Sequence, residues 1–451
     1  MLVGPAHTPI LPKIASFAIS AAPIEDNNRF PIKLTVNNKK KEQHIKNAIK
    51  KKLESATLSK NLGQDDCFYI LDLGQLYRQH KKWQRYLPRI TPYYAIKCNP
   101  DPKIIQCLAS LGFGFNCISG HEIQNVLSFG VEPSSIIFAH TCKQASYLSF
   151  ASNYGIRKMT FDNADELFKI KDLYPNAELL LRIWADDSKS QWGTGVKYGA
   201  PMSAIDNLLH TAKDLGLNVK GVSFHVGSGC SDISIYQDTL KNASIVFDRA
   251  KQFGFDFDLL DIGGGFNGVD APGRPTFKQT ASVIRKMTDT LFPLSVHIIA
   301  EPSRFYVAPT LTVCCQVIGR KIISNQQEDN NQGNSRQVAR KHKRHMYYVN
   351  DGLHASFATR LLYQDTLNLK LLMKNGNCVY RQGIKERTYS SVVWGHTCEP
   401  GDCLTDDIEL PLLNAGDWLY AENMGAYAIS KSHFCGFERP KTIYVDSFTN
   451  Q

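Results

Sequence analysis

No apolar run in this sequence approaches the ~20 residues that a membrane-spanning helix needs, so no membrane partner is expected. CxxC pairs and Cys/His clusters at zinc-finger spacing are also missing. The 12 cysteines are scattered, so neither a structural metal nor a disulfide framework is expected, and no metal ligands are assigned. Scattered thiols in a chain of this length fit a reducing compartment, and a cytoplasmic location is expected. The opening stretch MLVGPAHTPILPKIASFAISAAP is mildly apolar but lacks a basic n-region and a compact apolar block. A secretory signal is therefore not expected. Charge of one sign is not dominant: 52 Lys and Arg stand against 42 Asp and Glu, a net +10. Much of that surplus sits in two short polar tracts, so no nucleic-acid partner is read from it.

The chain has 451 residues, 43% hydrophobic and 21% charged, which is ordinary for a globular protein. At roughly 150 residues per domain this allows about three domains, or one large barrel with a smaller companion. Residues 1–30 read as a disordered lead, and 31–70 as an N-terminal segment associated with the companion domain. Within that segment, NNKKKEQHIKNAIKKKLESA (37–56) has helical charge spacing, its lysines forming a solvated face, before the strand FYILDL (68–73). From 71 to 310, short apolar runs alternate with helical stretches. The strand candidates are YYAIKCN, FNCIS, IIFAHT, MTFDN, LLLRIW, VSFHVG, LLDIGGG and HIIAEP. Such alternation predicts an α/β fold, a (β/α)8 TIM-type barrel, with a doubly wound sheet as the alternative. From 311 to 451 the rhythm becomes strand-rich, with TLTVCCQVIG, HMYYVNDG, YSSVVWG, DWLYAENMG and KTIYV, predicting a separate all-β domain. Between its first two strands, 324–345 is polar and then basic, with too few apolar residues to pack, and reads as a mobile loop.

In a barrel the strand C-termini form the functional face, so the residues closing each strand carry the chemistry. Lys97 closes YYAIKCN, where partial desolvation would lower its pKa and make it a nucleophile toward a carbonyl. SFHVGSG offers His225 and Ser228, DIGGGF offers Gly263, Gly264 and Gly265, and EPSRF offers Glu301 and Arg304. Glycine backbone approaches a phosphate closely and an arginine adds a bidentate fork, while a carboxylate can pair with a protonated pyridine nitrogen. A lysine, a phosphate cradle, a histidine to stack on a ring and a pyridinium partner together are what pyridoxal 5'-phosphate requires.

With YYAIKCN, SFHVGSGCSD, LLDIGGGF, IAEPSRFYVA, YYVNDG, GHTCEPGD and ENMGAY in order, residues 70–440 resemble the ornithine/diaminopimelate/arginine decarboxylases with alanine-racemase-type barrels, closest to the eukaryotic ornithine decarboxylase type. The resemblance implies a lyase that decarboxylates a basic amino acid, most directly L-ornithine to putrescine in polyamine synthesis. Lysine, arginine or another amino acid as substrate, or a non-catalytic homologue of the antizyme-inhibitor type, are the alternatives. It implies that Lys97 holds the cofactor covalently and His225 stacks on its ring. Ser228, Gly265, Arg304 and Tyr427 would bind phosphate, Glu301 the ring nitrogen, and Arg182 would support from beneath. Cys398, from a second subunit, would protonate the product carbon. Asn350, Asp351, Glu399 and Phe434 would surround the substrate's distal amine. It further implies a homodimer with shared active sites, bridged by Lys197 and Asp402, and an antizyme-like regulator docking on CKQASYLSFASNYGIRKMTFDN.

Several positions depart from the family's pattern. Asn116 and Glu399 stand where it has aspartates, Ser303 where it has glycine, and GHTCE and NDGLHASFA replace GPTCD and NDGVYGSFN, bringing in His396 and His354. The downstream YDH becomes YQD around Tyr363, with Gln364 and Asp365.

Overall fold

Strands buried on both faces need helices outside them and a closed edge, and the central half of the chain supplies both. The computed structural model describes residues 38–58, 63–323, 344–363 and 367–448. The expected lead at 1–30 and the loop residues 324–343 lie outside the described residues. After helix α1 (Asn38–Leu58) and strand β1 (Phe68–Asp72), the chain forms β2 (Ile90–Ala95), β3 (Gly114–Cys117), β4 (Ile136–Phe138), β5 (Lys158–Phe161) and β6 (Glu178–Arg182). It continues with β7 (Ser190–Trp192), β8 (Asn218–Ser223), β9 (Ser228–Cys230), β10 (Leu259–Asp261) and β11 (His297–Ala300). Strands β2 to β6, β8, β10 and β11 close into a parallel barrel of eight, and helices fill the crossovers. All eight expected strands appear. Inside, Tyr93, Ile137, Leu180 and Leu259 pack together from β2, β4, β6 and β10, alternate strands around the ring, so the barrel is a filled core. The short β7 and β9 pair antiparallel, with Trp192 opposite Ser228, and were not anticipated because three-residue strands leave no periodicity to read.

The second sheet uses β12 (Leu311–Ile323), β13 (Arg344–Val349), β14 (Leu369–Lys374), β15 (Asn377–Cys378), β16 (Thr388–Trp394), β17 (Cys403–Pro411), β18 (Trp418–Ala421) and β19 (Lys441–Val445). Its order is β15-β14-β18-β12-β13-β16-β17, with β1 paired to β12 and β19. The N-terminal strand therefore belongs to this sheet, antiparallel to β12 and parallel to β19. Strand β17 escaped the sequence reading. It lies on the edge of the sheet, where exposed Asp406, Asp407 and Glu409 blunt pairing with other chains but mask the apolar pattern. The last two residues of the expected loop, Arg344 and His345, instead open β13, where His345 is buried. On α1 the residues Ile45, Ile49 and Leu53 recur every four positions, one above the other on a single face. They are buried against Phe68, Trp418 and Tyr420, which leaves the other faces of the helix to the lysines.

A buried ion pair fixes one side of the barrel mouth. Lys143, in the loop after β4, reaches Glu166 at 2.8 Å, and both side chains are almost completely buried. Its Nζ also donates to the carbonyls of Thr160 (2.7 Å) and His140 (3.0 Å), while Lys169 approaches Glu166 at 2.6 Å. Burial pushes the Lys143 ammonium down to about 8 despite its partner. Removing one member of a buried pair strands the other charge. Glu166→Gln is therefore expected to cost about 3–5 kcal/mol in denaturant unfolding. Combining it with Lys143→Met should restore most of the loss, and equal destabilisation by the single and double variants would contradict the pairing.

Candidate active site

Lys97 stands two residues past β2 on a 3-10 turn, Ile96–Cys98. Three hydrogen bonds hold that turn. The Cys98 carbonyl accepts from the Tyr427 N–H at 2.8 Å, and the Asn99 amide donates to the Gly425 carbonyl at 2.9 Å. Asn99 Oδ1 also accepts from the Asp101 N–H at 3.1 Å. On the β2 side, Ser303 Oγ accepts from the Ala95 N–H at 2.7 Å. A glycine in place of Ser303 has no side chain to do this, so that departure has a structural purpose two residues from the lysine.

His225 follows β8. Its Nδ1 accepts from the Gly227 N–H at 3.1 Å, which leaves the proton of the neutral ring on Nε2. Burial, then the charges of Arg182 and Lys97, push the imidazole down to about 3. A neutral ring face is what stacking on a heteroaromatic ring requires. Beyond β10, Gly265 has φ +106, and a Cβ there would stand 2.6 Å from the Tyr236 hydroxyl, so only glycine lets the backbone pass this close. Arg304 is sandwiched between Trp192 (4.1 Å to the ring centre) and Tyr427 (5.0 Å). Its Nε is buried without a hydrogen-bond partner among the described residues. Tyr427 itself adopts φ +65, a conformation that is uncommon for a bulky residue and concentrates at functional sites.

Lys97, His225, Ser228, Gly264, Gly265, Glu301, Arg304 and Tyr427 line one cavity. Gly263 lies just behind it with φ +63. Arg182 is outside the lining, donating to Thr194 Oγ1 at 3.3 Å over the Tyr198 ring, yet close enough to act on His225. The residues fit pyridoxal 5'-phosphate. A buried guanidinium N–H lacks an acceptor, glycine backbone is open to an anion, Glu301 supplies a carboxylate, and Lys97 supplies the amine. Asn116, near the end of β3 in register with Ala95, also buries an oxygen that has no partner among the described residues. Among the described residues no group of three or more His, Cys, Asp or Glu is placed to hold a metal.

The remaining expected residues do not line this cavity. Cys398 and Glu399 are exposed on the turn between β16 and β17. Glu399 Oε2 meets His354 Nε2 at 3.0 Å, so two departures from the family pattern contact each other. The His354 carbonyl accepts from the Phe434 N–H at 3.0 Å, which brings Phe434 into the same patch, and His396 stacks on Phe437 at 3.7 Å. Asn350 is occupied elsewhere: its Oδ1 accepts from the Gln316 N–H (2.7 Å) and its Nδ2 donates to the Asp65 carbonyl (2.8 Å). Asp351 is fully buried, capping the following turn by accepting from Gly352 N–H (2.8 Å) and Ser356 N–H (3.0 Å). Asn350 is thus occupied by backbone groups, whereas Asp351 keeps its second oxygen, Oδ2, buried without a hydrogen-bond partner among the described residues. Asp402 likewise accepts from Leu353 N–H (2.7 Å), Thr397 N–H (3.0 Å) and the Thr397 hydroxyl (2.6 Å), which bind the turn carrying Cys398 to the Asp351 turn. Gln364 and Asp365 lie outside the described residues.

Sequence reasoning missed Trp192, whose signal was an aromatic between polar residues in SQWGTG. It also missed Asp187, whose carboxylate accepts from Thr194 N–H and, at 2.6 Å, from Gly195 N–H and so pins that segment.

A family model for the pyridoxal-binding domain of pyridoxal-dependent decarboxylases matches residues 73–308. The ornithine decarboxylase of Neurospora crassa is 41% identical over 421 residues, covering 90% of this chain and 86% of that protein. Antizyme inhibitor 2 of Xenopus laevis is 41% identical over 383 residues, covering 84% and 81%. Among solved structures, the arginine decarboxylase of Paramecium bursaria Chlorella virus superposes with a TM-score of 0.78 at 30% identity, covering 88% of this chain and all of that one.

The His225 environment has a measurable consequence. The folded imidazole takes a proton only near pH 3, whereas its ordinary value is 6.5. Between those values the unfolded state binds more protons, so the stability from neutral His225 is complete above pH 6.5 and is lost as pH falls toward 3. His225→Gln should flatten the loss of melting temperature across that window. An unchanged acid limb would contradict a neutral His225.

Proposed function

The chain belongs to the pyridoxal-dependent decarboxylases, with the eukaryotic ornithine decarboxylases, and on that footing we propose that it converts L-ornithine to putrescine and so feeds polyamine synthesis. The observation that carries this reading is the convergence of Lys97, neutral His225, Glu301 and the unpaired Nε of Arg304 on one cavity. Pyridoxal 5'-phosphate, when bound, supplies an electron sink for the carbon that loses carbon dioxide. Lys97 Nζ would tether it and the His225 imidazole would support its ring face. Glu301 would pair with the ring nitrogen, and Arg304, Ser228, Gly265 and Tyr427 would hold the phosphate. Trp192 covers the Arg304 guanidinium and excludes water from it.

The rest of the assignment extends the same reading. We assign the barrel to 71–310 and the β domain to 311–451, a reading supported by the burial of α1 against the second sheet and the pairing of β1 with β12. A homodimer would bring Cys398 Sγ and Glu399 of one copy to the Lys97 cavity of the other. The exposure of both residues, away from the cavity of their own chain, supports that arrangement. Cys398 then delivers a proton to the product carbon. Twelve free thiols support a cytoplasmic location. No described helix is long and apolar enough to cross a membrane. An antizyme-like regulator, docking on residues 142–163, is supported by the likeness to an antizyme inhibitor.

Mixing Lys97→Ala with Cys398→Ala protein tests the shared site. Each parent should be nearly inactive, and exchange should restore up to about a quarter of wild-type activity, since statistical pairing makes half the dimers hybrid, each with one intact site. A mixture that exchanges subunits and stays as inactive as its parents would rule out sharing.

The Glu399–His354 contact favours a second reading on substrate preference. Glu399 adds a methylene to the family's aspartate, and His354 already engages its carboxylate. A site built around a charged amine discriminates when the amine is misplaced. Glu399→Asp is expected to raise the ratio of kcat/KM for ornithine over lysine by about tenfold. Assays on ornithine, lysine, arginine and 2,4-diaminobutyrate would show it. Ratios unchanged by the substitution remove Glu399 as the determinant.

A further inference from the structure

One carboxyl beside the cavity has no part in the reading above. Asp261 closes β10 and is fully buried. Its Oδ1 accepts from the Gly263 N–H at 2.9 Å and its Oδ2 from the Ser223 hydroxyl at 3.1 Å. Both donors are neutral and favour an ionised carboxyl, but burial and the neighbouring Glu301 charge outweigh them. The titratable groups that face it are Glu301, within hydrogen-bond reach, and the Tyr93 phenol from the barrel interior. Asp261 and Glu301 come from the ends of neighbouring strands, β10 and β11. Gly263 locks the two together, because its N–H binds Asp261 while its carbonyl accepts from the Glu301 N–H at 2.7 Å.

Two carboxyl groups within hydrogen-bond reach of each other in a dry interior do not both ionise, and one proton is shared between them. Burial favours the neutral form, and Asp261 is the more buried of the two, whereas Glu301 is half-buried and opens into the cavity. Burial, and then the Glu301 charge, hold Asp261 well above the ordinary carboxyl range.

We propose that Asp261 is a positioning residue, a neutral carboxylic acid that donates its proton to the Glu301 carboxylate and thereby aims that carboxylate at the ring nitrogen of the cofactor. The inference rests on the assignment of Glu301 to that nitrogen. With Asp261 ionised, repulsion would turn Glu301 away. With Asp261 neutral, one Glu301 oxygen is anchored and the other is presented to the ring.

The holoenzyme offers a readout that does not depend on turnover. Its infrared spectrum near neutral pH should contain the carbonyl stretch of a protonated carboxylic acid, shifted in deuterium oxide and absent from Asp261→Asn. An asparagine amide still donates to Glu301, so Asp261→Asn should hold the cofactor within a few-fold of wild type. Asp261→Leu removes the donor and should weaken cofactor binding roughly ten- to a hundred-fold, as expected for a hydrogen bond to a charged group. Absence of the protonated-carboxyl band, or equal weakening by Asn and Leu, overturns the proposal. If the Leu variant does not fold, the infrared comparison with Asn alone decides it. Glu301→Ala separates the two levels. Unchanged cofactor affinity in that variant overturns the ring-nitrogen assignment and the positioning role with it, whereas the infrared band tests the proton on Asp261 by itself.

Discussion

Closing eight parallel strands into a ring places every strand's carboxyl end on the same rim, and the cavity depends on that constraint. Its groups are not spread around the rim. His225 follows β8, the glycine run follows β10, Glu301 and Arg304 follow β11, and Lys97 follows β2. In the barrel these strands are consecutive, β8-β10-β11-β2. Residues up to about 200 positions apart in sequence thus become neighbours through strand pairing alone, and only local turns remain to aim the side chains. The β7–β9 pair then adds Trp192 beside Arg304.

The β domain contributes to the same constraint. Tyr427 and Gly425 grip the turn that bears Lys97 through backbone hydrogen bonds, and Tyr427 accepts an uncommon backbone conformation there. The end of the cavity beside Arg304 is therefore built jointly by a barrel strand end and a loop beyond β18. Charge is arranged with equal economy. Lys97 and Arg304 provide cations, Glu301 an anion, and His225 is kept neutral by burial and by the charges of Arg182 and Lys97. The departure at Ser303 adds a bond to the β2 backbone instead of removing one.

Much of this was legible in the sequence because barrel strands are continuous apolar runs and the residues closing them are polar or glycine. The eight strands and the cavity groups of the barrel could be read that way, whereas Tyr427 came only with the family resemblance. What stayed hidden was relational. Asp261 reads as an ordinary aspartate until β10 and β11 pair and set it beside Glu301. Trp192 lies on a three-residue strand with no pattern of its own. The contact between His354 and Glu399 joins positions 45 apart, and nothing local in either stretch announces it. In the NDG stretch, Asn350 is held by backbone partners, while Asp351 caps the following turn with one oxygen and keeps the other buried and unpartnered among the described residues.

The central claim is that the rim is organised around Lys97 as the residue that holds the cofactor. Borohydride reduction converts a carbonyl compound held by a lysine into a stable secondary amine, so the labelled residue can be read by peptide mapping. Reduction of the protein loaded with pyridoxal 5'-phosphate should place the label on the peptide containing YYAIKCNP, at Lys97. Stoichiometric label on any other lysine, or none on a preparation that binds the cofactor, would contradict the account.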